Sequence, residues 1–284
     1  MREQKVMESH GKNKKSRKPD RSEGRSLLSI LSVTFRCFQS LSVAFFFFPL
    51  LLLSIPAFAQ QNLAAQARQK YDAGDFQASA LLFQNAVNKS PNNPFLQYDL
   101  GNALFKSGKL GEAIVAYQRA FDLMPRNSDI RYNLAFALNR AGENLIPSGV
   151  PPILFYLFYW LSLKELSGAF WLFVWILLLS AGIWIKLKKP ASLRPMIGFA
   201  FIFSSVFGIW WGIRFVLEPD SLGVIVTQTA EVRSGPGESF SVDFTAPEGR
   251  RVEILSESSD WIEVGLLKEG SRGWVSSKDV EKVD

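Results

Sequence analysis

Histidine and cysteine are nearly absent from this sequence. Of 284 residues one is cysteine, Cys37, and one is histidine, His10. Both precede residue 60, in a segment that reads as a removable leader, so the remainder has neither. That excludes disulfides, thiol nucleophiles, thiol redox sensing, histidine-dependent triads and the usual zinc sites. Cys37 follows Arg36 without the small and aliphatic residues that precede a lipid-modified cysteine. Net charge is missing too. The formal charge of +6 comes from residues 1–59, which hold ten Lys/Arg and four Asp/Glu, whereas residues 60–284 hold 22 of each. A balanced chain gives no reason to expect a nucleic-acid partner. Chemistry would have to rest on carboxylates, hydroxyls and lysines, and the 22 acidic residues form no paired motif. The sequence therefore predicts no catalytic residue, cofactor or metal site, and a carboxylate-based enzyme ranks last among the functional readings.

What is present starts with the leader. Residues 41–55, "LSVAFFFFPLLLLSI", form an apolar core after a basic stretch, and "AFA" at 57–59 places small residues where signal peptidase reads. The expectation is an export signal over 1–59, cleaved after Ala59. An uncleaved anchor or a start assigned too far upstream stays open, because the basic region is long. Either way the following chain lies outside the cytoplasm.

Residues 60–145 repeat. Gly74 and Gly108, Phe83 and Tyr117, Ala86 and Ala120, and Pro91 and Pro125 are each 34 apart, and Gly142 continues the series. Leu100, Gly101 and Leu104 fall on one face of a first helix, where Gly101 lets a partner helix approach, and Ala113, Tyr117 and Ala120 form the complementary face. Gly108 permits the turn and Pro125 stops the second helix. This pattern resembles the tetratricopeptide repeat, a helix-turn-helix unit. Two and a half units are legible, and the final lone helix serves as a cap. Gln66, Lys70 and Ser79 depart from the family in the first unit.

Such repeats bind extended peptides or partner helices in a concave groove. The resemblance carries that role onto Tyr98, Asn102, Phe105 and Lys106, then onto Tyr132, Asn133, Phe136 and Arg140. Asn102 and Asn133 match the asparagines of the carboxylate-clamp subtype, but Tyr98 stands where the clamp has lysine, and its third repeat is missing. That both are solvated helix-surface residues stays open beside the clamp.

Residues 166–185 are a 20-residue uncharged run and 195–217 a second apolar run with Arg214 near its end, both long enough to cross a bilayer. The loop 186–194 between them carries Lys186, Lys188, Lys189 and Arg194 and no acid. Short basic loops stay cytoplasmic, which places both flanking domains on the other side. Arg214 is expected to snorkel to the outer interface and meet Glu218, with a buried functional charge as the alternative. Trp160, Trp171, Trp210 and Trp211 gather toward that side. Residues 146–165 form a linker whose apolar part, 153–163, is too short to span and reads as an in-plane segment.

Residues 220–284 alternate in the manner of short strands: "GVIVTQ", "AEVRSGPG", "RRVEILSE", "DWIEVGL" and "RGWVSS". A small closed β-barrel is expected. "VRSGPGES", "DWIEV" and "RGWV" resemble the bacterial SH3-like domain over 222–284, members of which bind peptides or cell-wall material. Trp261 and Trp274 are expected in core and rim packing, with a ligand platform as the alternative.

The fold class is thus multi-domain: an α-solenoid of repeats, a two-helix transmembrane hairpin and a small all-β SH3-like barrel. This order resembles the tetratricopeptide members of the bacterial aerotolerance operon (Bat) proteins. The resemblance implies a non-enzymatic adaptor on the periplasmic face of the cytoplasmic membrane, in an aerotolerance or stress complex with von Willebrand factor A-type membrane proteins and a MoxR-type ATPase. A cell-wall receptor or sensor gripping peptidoglycan is the second reading.

Overall fold

The structure is a computed structural model that describes residues 55–187, 191–217, 221–266 and 270–283. The chain divides into Met1–Phe58 and Ala59–Asp284, and the second unit is the one described below. The leader's Cys37, His10 and nearly all of its apolar core lie outside the described residues, as do 188–190 of the basic loop and Glu218.

Five helices build the repeats: α1 (Ile55–Asp72), α2 (Phe76–Lys89), α3 (Pro94–Lys106), α4 (Leu110–Leu123) and α5 (Ser128–Arg140). The 34-residue period is visible in their ends. Gly74, Gly108 and Gly142 all have φ between +73° and +88°, the left-handed turn that costs a side-chain-bearing residue energy. Asn93 and Asn127, also 34 apart, cap α3 and α5 by accepting from the backbone N–H groups two and three residues on. A β-carbon at Gly101 would stand 2.6 Å from the Tyr117 ring, which is why that position must be glycine for α3 and α4 to pack. Ser79, a departure from the family, is buried and donates to the Ala67 carbonyl at 2.9 Å, so its hydroxyl is satisfied by the first helix.

Helix α4 is buried almost all round: Ile114, Val115, Ala116, Tyr117 and Phe121 are all inside. One face meets α3 and α5, and the rest meets the C-terminal sheet. Consecutive apolar residues such as Ile114, Val115 and Ala116 cannot share one helical face, so a helix like this needs cover on two sides.

Beyond the repeats, α6 (Pro152–Phe158) is followed by the long apolar helices α7 (Leu163–Lys186) and α8 (Arg194–Leu217), with a 3-10 turn at Ala191–Leu193. At about 1.5 Å per residue each is long enough to cross a bilayer. They pair through an aromatic ladder, Phe173 against Phe199, Phe203 and Phe207, and through Phe170 lying over Gly208. Many of their other apolar side chains are exposed, Val216 by 79%, unlike those of a helix in a soluble core. α7 starts at a capping box formed by Ser162 and Glu165.

The last region holds seven antiparallel strands: β1 (Leu222–Ile225), β2 (Thr229–Arg233), β3 (Val242–Pro247), β4 (Arg251–Ser258), β5 (Trp261–Leu266), β6 (Arg272–Ser276) and β7 (Val280–Lys282). The sheet order is β3-β2-β6-β5-β4-β1-β7, and no pairing joins β3 to β7 among the described residues. The seven strands form one antiparallel sheet around a single core, as expected of the small all-β SH3-like domain, with β3 and β7 at the ends of its order. Strands β3 and β7 had no clear alternation to announce them. Val252 and Ile254 point inward together with Val232, Ile262, Val264 and Val275.

Candidate functional site

The predicted groove residues come from α3 and α5, the first helices of successive repeats, and the structure brings them onto one surface. In its polar half, the Asn133 Nδ2 donates to the Tyr98 hydroxyl and to Asn102 Oδ1, each at 2.9 Å. Tyr117 donates its hydroxyl to the same Asn102 oxygen at 2.7 Å. Tyr117 was expected only as a packing residue. Its ring does pack under Gly101, but its hydroxyl emerges beside Tyr98, whose ring lies 6.0 Å away. Burial pushes the Tyr117 phenol above its ordinary range, and Tyr98 adds to the shift. Beside it Asp99 pairs with Arg68 at 3.0 Å. Burial pushes the Asp99 carboxyl up, against the opposing pull of Arg68.

The other half of the groove is aromatic. Phe105 and Phe136 meet edge to face at 5.7 Å, Tyr132 stacks on Phe136 at 6.4 Å, and the Arg140 guanidinium lies 5.7 Å from the Phe105 ring. Tyr132 is 70% exposed, and Phe136 and Lys106 are exposed beside it. Both asparagines are half-buried: the Asn133 amide donates within the protein, and the Asn102 amide oxygen accepts there. Asn133 is committed to protein acceptors, and a carboxylate clamp needs its amide as a donor.

A second constellation, absent from the sequence reading, joins repeats to sheet. Arg119 on α4 donates to the Val283 carbonyl at 2.9 Å, to the Lys282 carbonyl and to Glu281 at 2.9 Å. The Gly111 N–H donates to Glu248 at 2.8 Å. Glu143, its side chain 4% exposed, pairs with Arg250 at 3.0 Å, while Arg251 donates to the Asn144 carbonyl at 2.7 Å. Burial lowers the Arg251 pKa, opposed by Glu143. Val224 and Val283 belong to the repeats' hydrophobic core, not to the barrel's. Each such buried valine contributes roughly 2 kcal/mol. The signal available in the sequence was the all-round apolar α4. The partner surface could not be read, because the contacting residues are more than 100 positions apart.

Three further expectations change. Arg214 is buried, not extended to the interface: it donates to the Leu161 carbonyl and lies 4.5 Å from the Tyr159 ring. Trp210 donates to the Phe158 carbonyl at 3.2 Å, so α8 pins the 158–161 segment by two bonds. The segment 153–163 is not only an in-plane strip. Phe155 is buried against the repeats and Tyr159 packs on Phe121, while Ile153, Leu154, Leu157 and Trp160 stay exposed. Trp261 and Trp274 are outside the barrel core, because Ile262, Val264 and Val275 take the inward positions of β5 and β6. They lie on the outer face with Arg233, which is paired to Trp274 in register and sits 6.0 Å from the Trp261 ring. Arg233 also donates to the Glu238 and Phe240 carbonyls at 2.8 Å, holding the loop after β2. No cluster of three or more metal-ligating residues occurs among the described residues.

Comparison with known families agrees with this geometry. Residues 101–142 match the family described as TPR repeat, 64–121 that described as tetratricopeptide repeat, and 228–281 the bacterial SH3 domain. A stretch of 61 residues is 41% identical to YrvJ of Bacillus subtilis (strain 168), whose name describes it as an N-acetylmuramoyl-L-alanine amidase. The match covers 22% of this chain and falls on its SH3 part, and the chain spans 12% of that relative's length. Among solved structures, a MamA mutant aligns with TM-score 0.28 and 20% identity over 29% of this chain and 46% of its own. A chain of a T3SS complex from Aeromonas hydrophila aligns with TM-score 0.31 and 17% identity over 59% of this chain and 90% of its own. At those values neither structure adds to the argument. The chain carries tetratricopeptide repeats, two long apolar helices and a bacterial SH3 domain, in that order.

Proposed function

We propose that the chain is a non-enzymatic adaptor anchored in the bacterial cytoplasmic membrane by α7 and α8, with repeats and barrel facing the periplasm. The observation that carries this reading is the groove: its polar half is fixed by internal hydrogen bonds and its aromatic half is left exposed. Preformed exposed aromatics are what a partner's apolar side chains need. We therefore assign Tyr98, Asn102, Phe105, Lys106, Tyr132, Asn133, Phe136 and Arg140 to the binding of a partner peptide or helix, anchored by apolar side chains instead of a C-terminal carboxylate. The leader 1–59 acts as the export signal, and the basic loop 186–194 stays in the cytoplasm. The segments 146–165, 166–185, 195–217 and 220–284 act as linker, two spans and wall-side barrel. The order of domains resembles the Bat protein usually called BatE, which favours von Willebrand factor A-type membrane proteins as partners in an aerotolerance complex.

Cysteines introduced singly at Ser148, Ser192 and Lys278, probed in intact spheroplasts with a membrane-impermeant reagent, test the orientation. Reaction at the first and third alone is expected, and reaction at Ser192 instead overturns it. Purification from solubilised membranes tests the adaptor role. Membrane proteins held by the wild type and lost with Tyr132→Ala and Phe136→Ala support it, and retention by both variants sinks it.

Peptidoglycan binding by the barrel is the second reading. Trp261, Trp274 and Arg233 on its outer face favour it, as does the likeness to a protein named as a cell-wall amidase. Saturable binding of the chain to isolated cell wall, lost with Trp261→Ala, is the expected result. Binding that survives this change removes the assignment.

A further inference from the structure

Repeats, barrel, α6 and one end of the apolar hairpin enclose a cavity of about 1250 Å³. That exceeds the roughly 300–1,000 Å³ of usual small-molecule sites. Leu163 and Leu217, at the adjoining ends of α7 and α8, line it, so it lies where the hairpin meets the soluble domains. Its charged lining is five Lys/Arg against three Asp/Glu. Two of the carboxylates are already held by arginines, Glu143 by Arg250 and Glu281 by Arg119. Lys164 reaches the Asn92 amide oxygen, 2.8 Å away, not a carboxylate. The cavity thus presents net positive charge in a half-enclosed setting, where an anion accepting charge-assisted hydrogen bonds is favoured.

An independent feature meets it. An exposed apolar face of α8, formed by Ile209, Ile213, Val216 and Leu217 around a shallow depression at Gly212, adjoins it. Leu217 lines both spaces. A β-carbon at Gly212 would touch nothing within 4 Å, so the depression is open. From Ile209 to Leu217 the helix rises by about 12 Å, a fair part of the length of one acyl chain.

We propose that the junction cavity and this face of α8 form one site for an anionic phospholipid, with the phosphodiester headgroup in the cavity beside Lys164 and one acyl chain over Gly212. This rests on the reading of α7 and α8 as membrane spans with this end at the outer interface. Lipid bound there would touch repeats, barrel and hairpin at once, and so would set how the soluble body stands on the membrane. Basic pockets beside transmembrane helices select anionic headgroups for the same electrostatic reason.

The test uses the full-length chain in nanodiscs of equal phosphatidylglycerol and phosphatidylcholine, transferred to detergent, with retained lipid counted by native mass spectrometry. Phosphatidylglycerol retained over phosphatidylcholine by at least about tenfold is expected. Lys164→Glu should abolish that preference and Gly212→Leu should lower retention of both lipids, neither shifting the melting temperature, since both positions are exposed or open. Equal retention of the two lipids, or unchanged retention by both variants, overturns the proposal. Displacement of the lipid by soluble glycerol 3-phosphate alone would reassign the cavity to a free phosphate ester and overturn the acyl half. Resistance of the chain to carbonate extraction is read in parallel. A chain that is extracted refutes the membrane reading itself, whereas a resistant chain without lipid preference refutes this proposal only.

Discussion

The face formed by α3 and α5 and the seam carried by α4 use the same repeats in opposite ways. On the groove side the polar groups bond to one another within a few residues of space, Asn133 with Tyr98 and Asn102, and the aromatic rings beside them remain exposed. On the seam side charged groups reach across the chain to backbone carbonyls and a buried carboxylate, as Arg119 does to Val283 and Arg250 to Glu143. Neutral hydrogen bonds at a half-exposed surface contribute about 1 kcal/mol each, whereas a buried ion pair broken on one side costs several. The groove is therefore built to be changed or occupied cheaply, and the seam to hold. Repeats and barrel pack into one compact unit through that seam.

The largest expected effect falls on the seam. Glu143→Ala leaves Arg250 and Arg251 without their buried partner and should cost about 3 kcal/mol, the low end for such a loss because both arginines are partly exposed. Chemical denaturation should then resolve separate transitions for repeats and barrel. A single unchanged transition would show that Glu143 is not what holds the seam. Gly111→Ala places a β-carbon 2.4 Å from the Ile225 carbonyl oxygen and should destabilise by about 1–3 kcal/mol. Its readout is faster protease cleavage in 144–151.

In the groove the effects shrink. Tyr117→Phe removes one hydrogen bond to Asn102 and should cost about 1 kcal/mol at pH 8. The phenol's folded pKa lies above its ordinary 10.0, so the stability linked to it is present below pH 10 and is lost as pH rises through the folded value. The gap between wild type and variant should therefore narrow in alkaline melts. A gap that widens with pH would contradict the buried hydroxyl. Smallest of all, Tyr132→Ala should shift stability by under ~0.5 kcal/mol, because its side chain is mostly exposed. Its loss of captured partner would then be a binding effect, separable from folding.

The sequence by itself determined the repeat and the helices. The 34-residue spacing of Gly74, Gly108 and Gly142 follows from turns that need positive φ, and Gly101 with Tyr117 from a close helix contact, both local requirements written into single positions. The two apolar runs were equally legible, since length and hydrophobicity are additive along a helix. The inward residues of β4 followed from alternation, whereas on β5 Ile262 and Val264 took the core places expected of Trp261; β3, almost wholly exposed, and β7, three residues long, carried too little alternation to be announced. Tertiary structure alone decided the rest. Only the fold brings the Tyr117 hydroxyl and the Asn133 amide to the Asn102 oxygen, and the Leu161 carbonyl to a buried Arg214. A hydrogen bond depends on direction and distance between residues remote in the chain, and no local spacing encodes either. The seam shows this most clearly: the run Ile114, Val115 and Ala116 could have signalled that α4 needs cover on two sides, and only folding brought Val224 and Val283 to supply it.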